Sequence, residues 1–496
     1  MSTLRLPKMS AIRLKFFRWI LIGLSTLSLQ KVAAQPQNKP PNIILIIADD
    51  VGWNDLGCYG NIAVATPNID RMARQGIRFT NTYLTASSCS PSRTSIISGR
   101  YSHNTGSAEL HTPLPAKVPI FPELLQEAGY YTAQAGKWHM GEDARRGFDI
   151  IHDDGEENGD GGEAMWLTTL RERPKDQPFF LWLAAIDAHR PWGSNSFSGE
   201  NDADEIDPPP FLADTDSTKE DLAHYYDEIT RFDDYIGKVE EELEKQGVLD
   251  NTIIIIMSDN GRPFPRSKTR VYDSGMKTPF VVKWNSGLSQ KGAVSSSLIS
   301  VIDIAPTLLE LAGAKVLPSF QGKSFTSVLK APERDFRDYV FAEHNWHDHE
   351  ALERMVRTKD FLYVLNLRPN LSNPGPADSN GSPSFQDLKD LREAGKLTAA
   401  QADVFVVPRP AEELFDCRKD PLQLVNIASL SDYQDTLKEL RQVLQRWRKE
   451  THDTTPDKLT GDWYDRETGK ALGVKQLRGE MPGGEKAVRT KAKGPF

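Results

Sequence analysis

The segments Asn42 to Asp50, Phe179 to His189 and Thr252 to Asn260 are each nearly continuous apolar runs, without the alternation of a half-exposed strand. Strands buried on both faces of a parallel sheet read this way. Each run ends in polar residues: Asp49 and Asp50, His189, and Asp259 with Asn260. Between the runs, Asn68 to Gln75, Phe121 to Ala128 and Asp221 to Gln246 carry helical periodicity. The alternation predicts an α/β fold, an open, mostly parallel sheet sandwiched by helices. Ligands of such sheets bind beyond the carboxyl ends of the strands, which is where these polar residues converge.

From about residue 366 the pattern changes. Arg368 to Pro383 is rich in Pro, Asn, Ser and Gly and reads as a long loop or boundary. Glu412 to Pro421 suggests a short hairpin, and Asp432 to Glu450 a charged amphipathic helix. The last twenty residues, with Lys486, Arg489, Lys491 and Lys493, read as a flexible basic tail. The expected organisation is a catalytic α/β domain over 35–365 and a smaller C-terminal α+β subdomain over 366–496. The acidic stretch Gly193 to Ser217 reads equally as a cover for the site or as a surface insertion.

A chain of 496 residues exceeds one small core. Its net charge of -9 argues against a general nucleic-acid binder. Arg5, Lys8, Arg13, Lys15 and Arg18 precede the apolar stretch Ile20 to Leu29, and Val32-Ala33-Ala34 supplies small residues. That is the layout of a secretory signal over residues 1–34, with cleavage expected after Ala34 and a periplasmic or secreted product. No cysteine follows the apolar stretch to take a lipid anchor, and no later stretch is long and apolar enough to span a bilayer. The three cysteines, Cys58, Cys89 and Cys417, make no disulfide framework, although a Cys58–Cys417 bond is open.

Asp49, Asp50, Asp259 and Asn260 are hard oxygen donors suited to Ca²⁺ or Mg²⁺. Taken singly, each also reads as the cap of a following turn. Cys89 alone would read as a small buried residue. Ser87, Ser88, Ser90 and Ser92 make its surroundings polar, Pro91 fixes a turn, and Thr94 to Ser98 begins a helix whose N-terminus favours an anion. Arg93 reaches back toward that point. Lys137 and His139 share a face of an extended segment, so one neutralises an anion while the other moves a proton. His189 is placed to act as an acid for a leaving group. Lys268 lies among Arg262, Arg266 and Arg270, which alone would read as a solvated basic face. His344, His347 and His349 read equally as surface histidines or a substrate subsite.

Cys89-Ser-Pro-Ser-Arg93, set among Asp49-Asp50, Gly136-Lys-Trp-His139 and Ser258-Asp-Asn260, resembles the type I sulfatases of the alkaline phosphatase superfamily. The likeness runs from about Asn42 to Asn426. It implies that Cys89 is oxidised to formylglycine by a maturation enzyme, and that its hydrate attacks sulfur. It also implies one calcium ion held by Asp49, Asp50, Cys89, Asp259 and Asn260. Arg93, Lys137, His139, His189 and Lys268 match the sulfate-binding and proton-transfer positions. For Lys268 the match departs from the family pattern at Asp273-Ser274, where Glu-Gly is usual. Ser258 to Pro265, Ser382 to Leu388 and Glu450 to Asp453 are similar to the heparan N-sulfatase subgroup and its bacterial relatives. The resemblance implies a sulfated carbohydrate or polysaccharide substrate, carrying an O-sulfate or a sulfamate. A phosphohydrolase on the same scaffold and an inactive polyanion-binding protein are the rival expectations.

Overall fold

The computed structural model describes residues 39–496 apart from Ser194, Lys475 and Gln476. The expected signal peptide lies outside the described residues. In chain order the strands are β1 (Asn42–Ala48), β2 (Ile77–Phe79), β3 (Thr82–Tyr83), β4 (Tyr131–Gly136), β5 (Ile150–His152), β6 (Phe179–Ala184) and β7 (Thr252–Ser258). They continue with β8 (Phe280–Lys283), β9 (Ala293–Ser295), β10 (Ile299–Ser300), β11 (Val340–His347), β12 (His349–Arg357), β13 (Phe361–Asn366) and β14 (Glu412–Asp416).

The main sheet has eight strands in the order β5-β4-β6-β1-β7-β8-β2-β9. Only β8 runs against its neighbours, so the sheet is mostly parallel. The three apolar runs are its centre: β1 lies between β6 and β7, with Ile47 level with Ala184 and Ala48 level with Ser258. All three are buried along their whole length because helices cover both faces. The Asp216–Lys245 helix shields one face, packing Tyr225, Ile229, Phe232 and Ile236 against Ile44 and Ile46. Phe121, Leu124 and Leu125 of the Phe121–Glu127 helix cover the other.

The smaller sheet is antiparallel, in the order β11-β12-β13-β14. The expected hairpin at Glu412 to Pro421 is instead the single edge strand β14, which pairs with β13 and then turns away. Leu437, Leu440, Leu444 and Trp447 of the Gln434–Glu450 helix pack on this sheet with Phe341, Val356 and Tyr363.

The C-terminal tail is docked rather than flexible. Arg100 donates to the carbonyls of Val488 and Thr490, Asn104 to Ala487, Gln321 to Ala492 and Tyr101 to Lys493. Its basic side chains suggested a solvated segment, but its backbone carbonyls hold it. All three cysteines are free, so no Cys58–Cys417 bond forms. Cys58 lies beside Asp70 near the main sheet, whereas Cys417 follows β14 of the other. Among the described residues no helix is long and apolar enough to cross a membrane.

Candidate active site

The carboxyl ends of β6, β1 and β7 deliver the site. Asp49 and Asp50 follow β1, Asp259 and Asn260 follow β7, and His189 follows β6 by five residues. Asp50 adopts φ 63°, a left-handed turn that an Asp tolerates. The oxygens of Asp49, Asp50 and Asp259 lie within 4.8 Å of one another, and all three residues are fully buried.

Cys89 is the first residue of the Cys89–Ser98 helix, which begins before the Thr94 start that the sequence implied. Pro91 is tolerated there because first-turn N–H groups need no helical partner. All ten residues of this polar helix are buried. The Cys89 thiol donates to Asp49 Oδ1 at 3.5 Å, and Asn260 Nδ2 donates to Cys89 Sγ at 3.3 Å. Burial, with Asp49 alongside, pushes the thiol far above its ordinary range. Asn260 Nδ2 also donates to Asp50 Oδ1 at 2.9 Å and Asp259 Oδ1 at 2.8 Å, while its Oδ1 is buried without a partner.

Three cations surround these acids. Arg93 Nε donates to Asp259 Oδ2 at 2.6 Å and Nη1 to the Lys137 carbonyl at 3.2 Å, leaving Nη2 buried without a partner. Lys137 pairs with Asp49. It is delivered by Gly136 at the end of β4, where φ is 93° and a Cβ would lie 1.8 Å from the Ala184 carbonyl oxygen. Only glycine makes that turn. Lys268 is fully buried, 2.6 Å from Asp50 Oδ2 and 3.4 Å from Asp378 Oδ2. Its neighbour Thr269 has φ 71°, a strained value for a β-branched residue, and donates its N–H to the Ser87 carbonyl at 3.1 Å.

The charges separate the acids. Burial opposes ionisation of Asp49, yet Lys137, His189, Arg93 and Lys268 hold its carboxyl well below the usual range. Burial pushes Asp50 up to about 7 despite Lys268, and Asp259 up to about 6 despite Arg93. Lys268 is held well above the ordinary lysine range; burial opposes this, and Asp378 and Asp50 outweigh it.

Burial, then Lys137, drops His139 well below the ordinary histidine range. Its Nε2 lies 2.7 Å from His111 Nδ1 and its Nδ1 is buried without a partner. His189 is lowered by burial and by Lys268. Its Nδ1 bonds the Arg190 carbonyl, so Nε2 faces the site, 3.4 Å from Asp378 Oδ2 and 3.9 Å from Asp50 Oδ2.

The three C-terminal histidines stand around the β11–β12 turn. His347 Nδ1 lies 2.8 Å from Ser88 Oγ, one residue before Cys89. His344, His347 and His349 line a narrow void of about 20 Å³ with Thr269, Glu353 and Arg409, room for a water molecule rather than a sugar ring. Two residues of the centre escaped the sequence reading. His111 sits in an aperiodic loop, and Asp378 in the Pro- and Asn-rich stretch; neither has a local signal.

Residues 41–160 and 164–314 match the family model "Sulfatase", and residues 266–366 match "N-sulphoglucosamine sulphohydrolase, C-terminal". The chain is 32% identical over 463 residues to the human N-sulphoglucosamine sulphohydrolase, covering 84% of this chain and 91% of that protein. It is 31% identical over 460 residues to an ulvan-active sulfatase of Formosa agariphila, covering 82% and 74%. The phosphonate monoester hydrolase of Silicibacter pomeroyi shares the fold at TM-score 0.63 and 19% identity, over 82% of this chain and 95% of that one. The fold is therefore common to sulfur and phosphorus chemistry, whereas the sequence matches are to sulfatases. The chain belongs to the type I sulfatases of the alkaline phosphatase superfamily and is a sulfuric ester hydrolase.

Proposed function

We propose that this chain hydrolyses sulfate groups from a sulfated carbohydrate, with Cys89 converted to formylglycine and one Ca²⁺ held by Asp49, Asp50, Asp259, Asn260 and residue 89. The observation that carries this reading is the environment of Cys89. A buried thiol whose proton is held this firmly is a poor nucleophile. Yet it stands at a helix N-terminus between a carboxylate cluster and three cations, where an anion and its attacker would meet. The donors fit a hard cation: three clustered carboxylates, two of them poorly compensated, and an amide oxygen with free lone pairs.

Bound calcium and the hydrated aldehyde supply Lewis-acid polarisation of the sulfate and a hydroxyl nucleophile. The chain's own residues do the rest. The free Nη2 of Arg93, with Lys137 and Lys268, holds sulfate oxygens as negative charge grows on them. His139, kept neutral by burial, is a base on the nucleophile side. His189 and the protonated Lys268 face the departing atom and deliver its proton.

A second reading, hydrolysis of the sulfamate of N-sulfoglucosamine, is favoured by the match of residues 266–366 and by the likeness to the human enzyme. The ulvan-active relative is nearly as similar, so the broader class of sulfated carbohydrate is the reading kept. Asn260 offers an amide where a two-metal phosphohydrolase would need an imidazole. We place the protein in the periplasm or outside the cell on the strength of the segment Arg5 to Ala34, and its maturation with a formylglycine-generating enzyme. The test is sulfate release from a panel of N-sulfoglucosamine, glucosamine 6-sulfate and ulvan oligosaccharides, using protein co-produced with such an enzyme. Release from at least one member is expected. Binding without release from any of them would favour an inactive polyanion-binding protein.

A further inference from the structure

Asp378 lies outside both stretches matched by family models, yet its carboxylate reaches the catalytic centre. Its Oδ2 is 3.4 Å from Lys268 Nζ and 3.4 Å from His189 Nε2, and so bridges two proton carriers that approach from different strands. We propose that Asp378 is a positioning residue for protonation of the leaving group, fixing Lys268 and His189 as one working pair. This rests on the sulfatase reading above.

His189 commits Nδ1 to the Arg190 carbonyl, so only Nε2 is free to exchange a proton with substrate. Of the carboxylates grouped around the His189 ring, Asp378 lies at 3.4 Å from Nε2 and Asp50 at 3.9 Å, while Asp49 belongs to the acid cluster with Cys89. Asp50 belongs to the acid cluster suited to a cation, and a carboxylate engaged there is a weaker anchor for a neighbouring imidazole or ammonium. Asp378 stands beside Asp50 and His189, their ligand atoms within 4.8 Å of one another, but outside the Asp49, Asp50 and Asp259 cluster. It gives Lys268 a second carboxylate partner at 3.4 Å beside Asp50 at 2.6 Å.

Asp378 is itself held firmly. The preceding Ala377 N–H donates to Asp348 Oδ2 at 3.0 Å, and the Ser379 N–H to the Pro376 carbonyl at 3.1 Å. Ser379 and Asn380 are buried, which anchors the segment, while a quarter of the Asp378 side chain remains exposed. Its Oδ1 is buried without a hydrogen-bond partner. The short Ala377–Asn380 helix thus carries one fixed acceptor into the centre.

The experiment is steady-state kinetics of Asp378→Asn, Asp378→Glu, His189→Ala and the Asp378→Asn/His189→Ala double variant, with Tm recorded for each. The substrate is whichever panel saccharide the unsubstituted enzyme cleaves. A positioned proton carrier contributes about 10²-fold or more to turnover. Asp378→Asn is therefore expected to lower kcat by about that factor while KM moves less than about threefold, and Asp378→Glu to recover part of it. In the His189→Ala background the same Asp378→Asn change is expected to cost less than about threefold, because residues acting as a unit are not additive. Full, multiplicative losses in the double variant, an effect on KM alone, or no loss in Asp378→Asn would each overturn the role while leaving the sulfatase reading intact. No cleavage of any panel member by the unsubstituted enzyme would overturn the sulfatase reading itself, and this role with it.

Discussion

At the scale of single residues, the site is defined by groups whose ionisation burial has displaced. Burial lowers His139 and the C-terminal histidines, and neighbouring cations, Lys137 for His139 and Arg270 for His344, lower them further. That has a consequence for stability away from the catalytic centre. Burial lowers His344 to about 3 and His349 to about 4, while an unfolded histidine titrates near 6.5. Below about pH 6.5 the unfolded chain binds protons that the native chain refuses, so stability falls as pH falls and continues to fall toward pH 4. Thermal melts between pH 7 and 4 are expected to show this decline, and His344→Gln to flatten it by about 1.4 kcal/mol per pH unit at most. An unchanged slope in the variant would show that His344 is not neutral in the folded chain.

The same scale shows why part of the site was legible and part was not. Asp49, Asp50, Asp259 and Asn260 end apolar runs, and Cys89 to Arg93 is a compact motif, so each is visible locally. Lys268 and Asp378 are 110 positions apart, and His111 and His139 are 28 apart. Such pairings exist only once the chain is folded, and no periodicity announces them.

At the scale of elements, β1, β6 and β7 could be read because both faces are apolar. The strands of the second sheet could not. β11 and β12 bury Glu343, His344 and Arg354, which no apolar pattern would place in a sheet interior. Glu343 and Arg354 are tolerated there because each has a partner: His103 lies 2.8 Å from Glu343, and Asp453 lies 2.7 Å from Arg354. The tail was misjudged for a related reason, since what binds it is its backbone. Arg100, 3% exposed, spends its donors on carbonyls, two of them from the tail. Deleting residues 484–496 would leave Arg100, Tyr101, Asn104 and Gln321 each short of an acceptor. At about 1–3 kcal/mol for each unsatisfied buried group, the truncated protein is expected to melt several degrees lower. A Tm equal to that of the full chain would show the tail to be dispensable.

At the scale of the whole molecule, Pro40–Phe496 pack as one unit, and both sheets contribute to one centre. The main sheet supplies the acids and most of the cations. The smaller sheet and the segments around it supply Asp378, the His347 contact to Ser88, and the buried Arg357–Asp273 pair at 3.1 Å. Gathering Asp49, Asp50 and Asp259 in one buried place costs free energy that a divalent cation, bound as proposed, would return. Chelation is therefore expected to lower Tm, and added Ca²⁺ to restore it by about 2 °C or more at concentrations well above Kd. Indifference of Tm to both would mean that Arg93, Lys137 and Lys268 alone balance the acids.

The most direct test of the central claim is the mass of the tryptic peptide Phe79 to Arg93, from protein made with a formylglycine-generating enzyme. The expected peptide is lighter by the exchange of the Cys89 thiol for an aldehyde, in step with sulfate-releasing activity. A fully active protein whose Cys89 thiol is intact would contradict the claim.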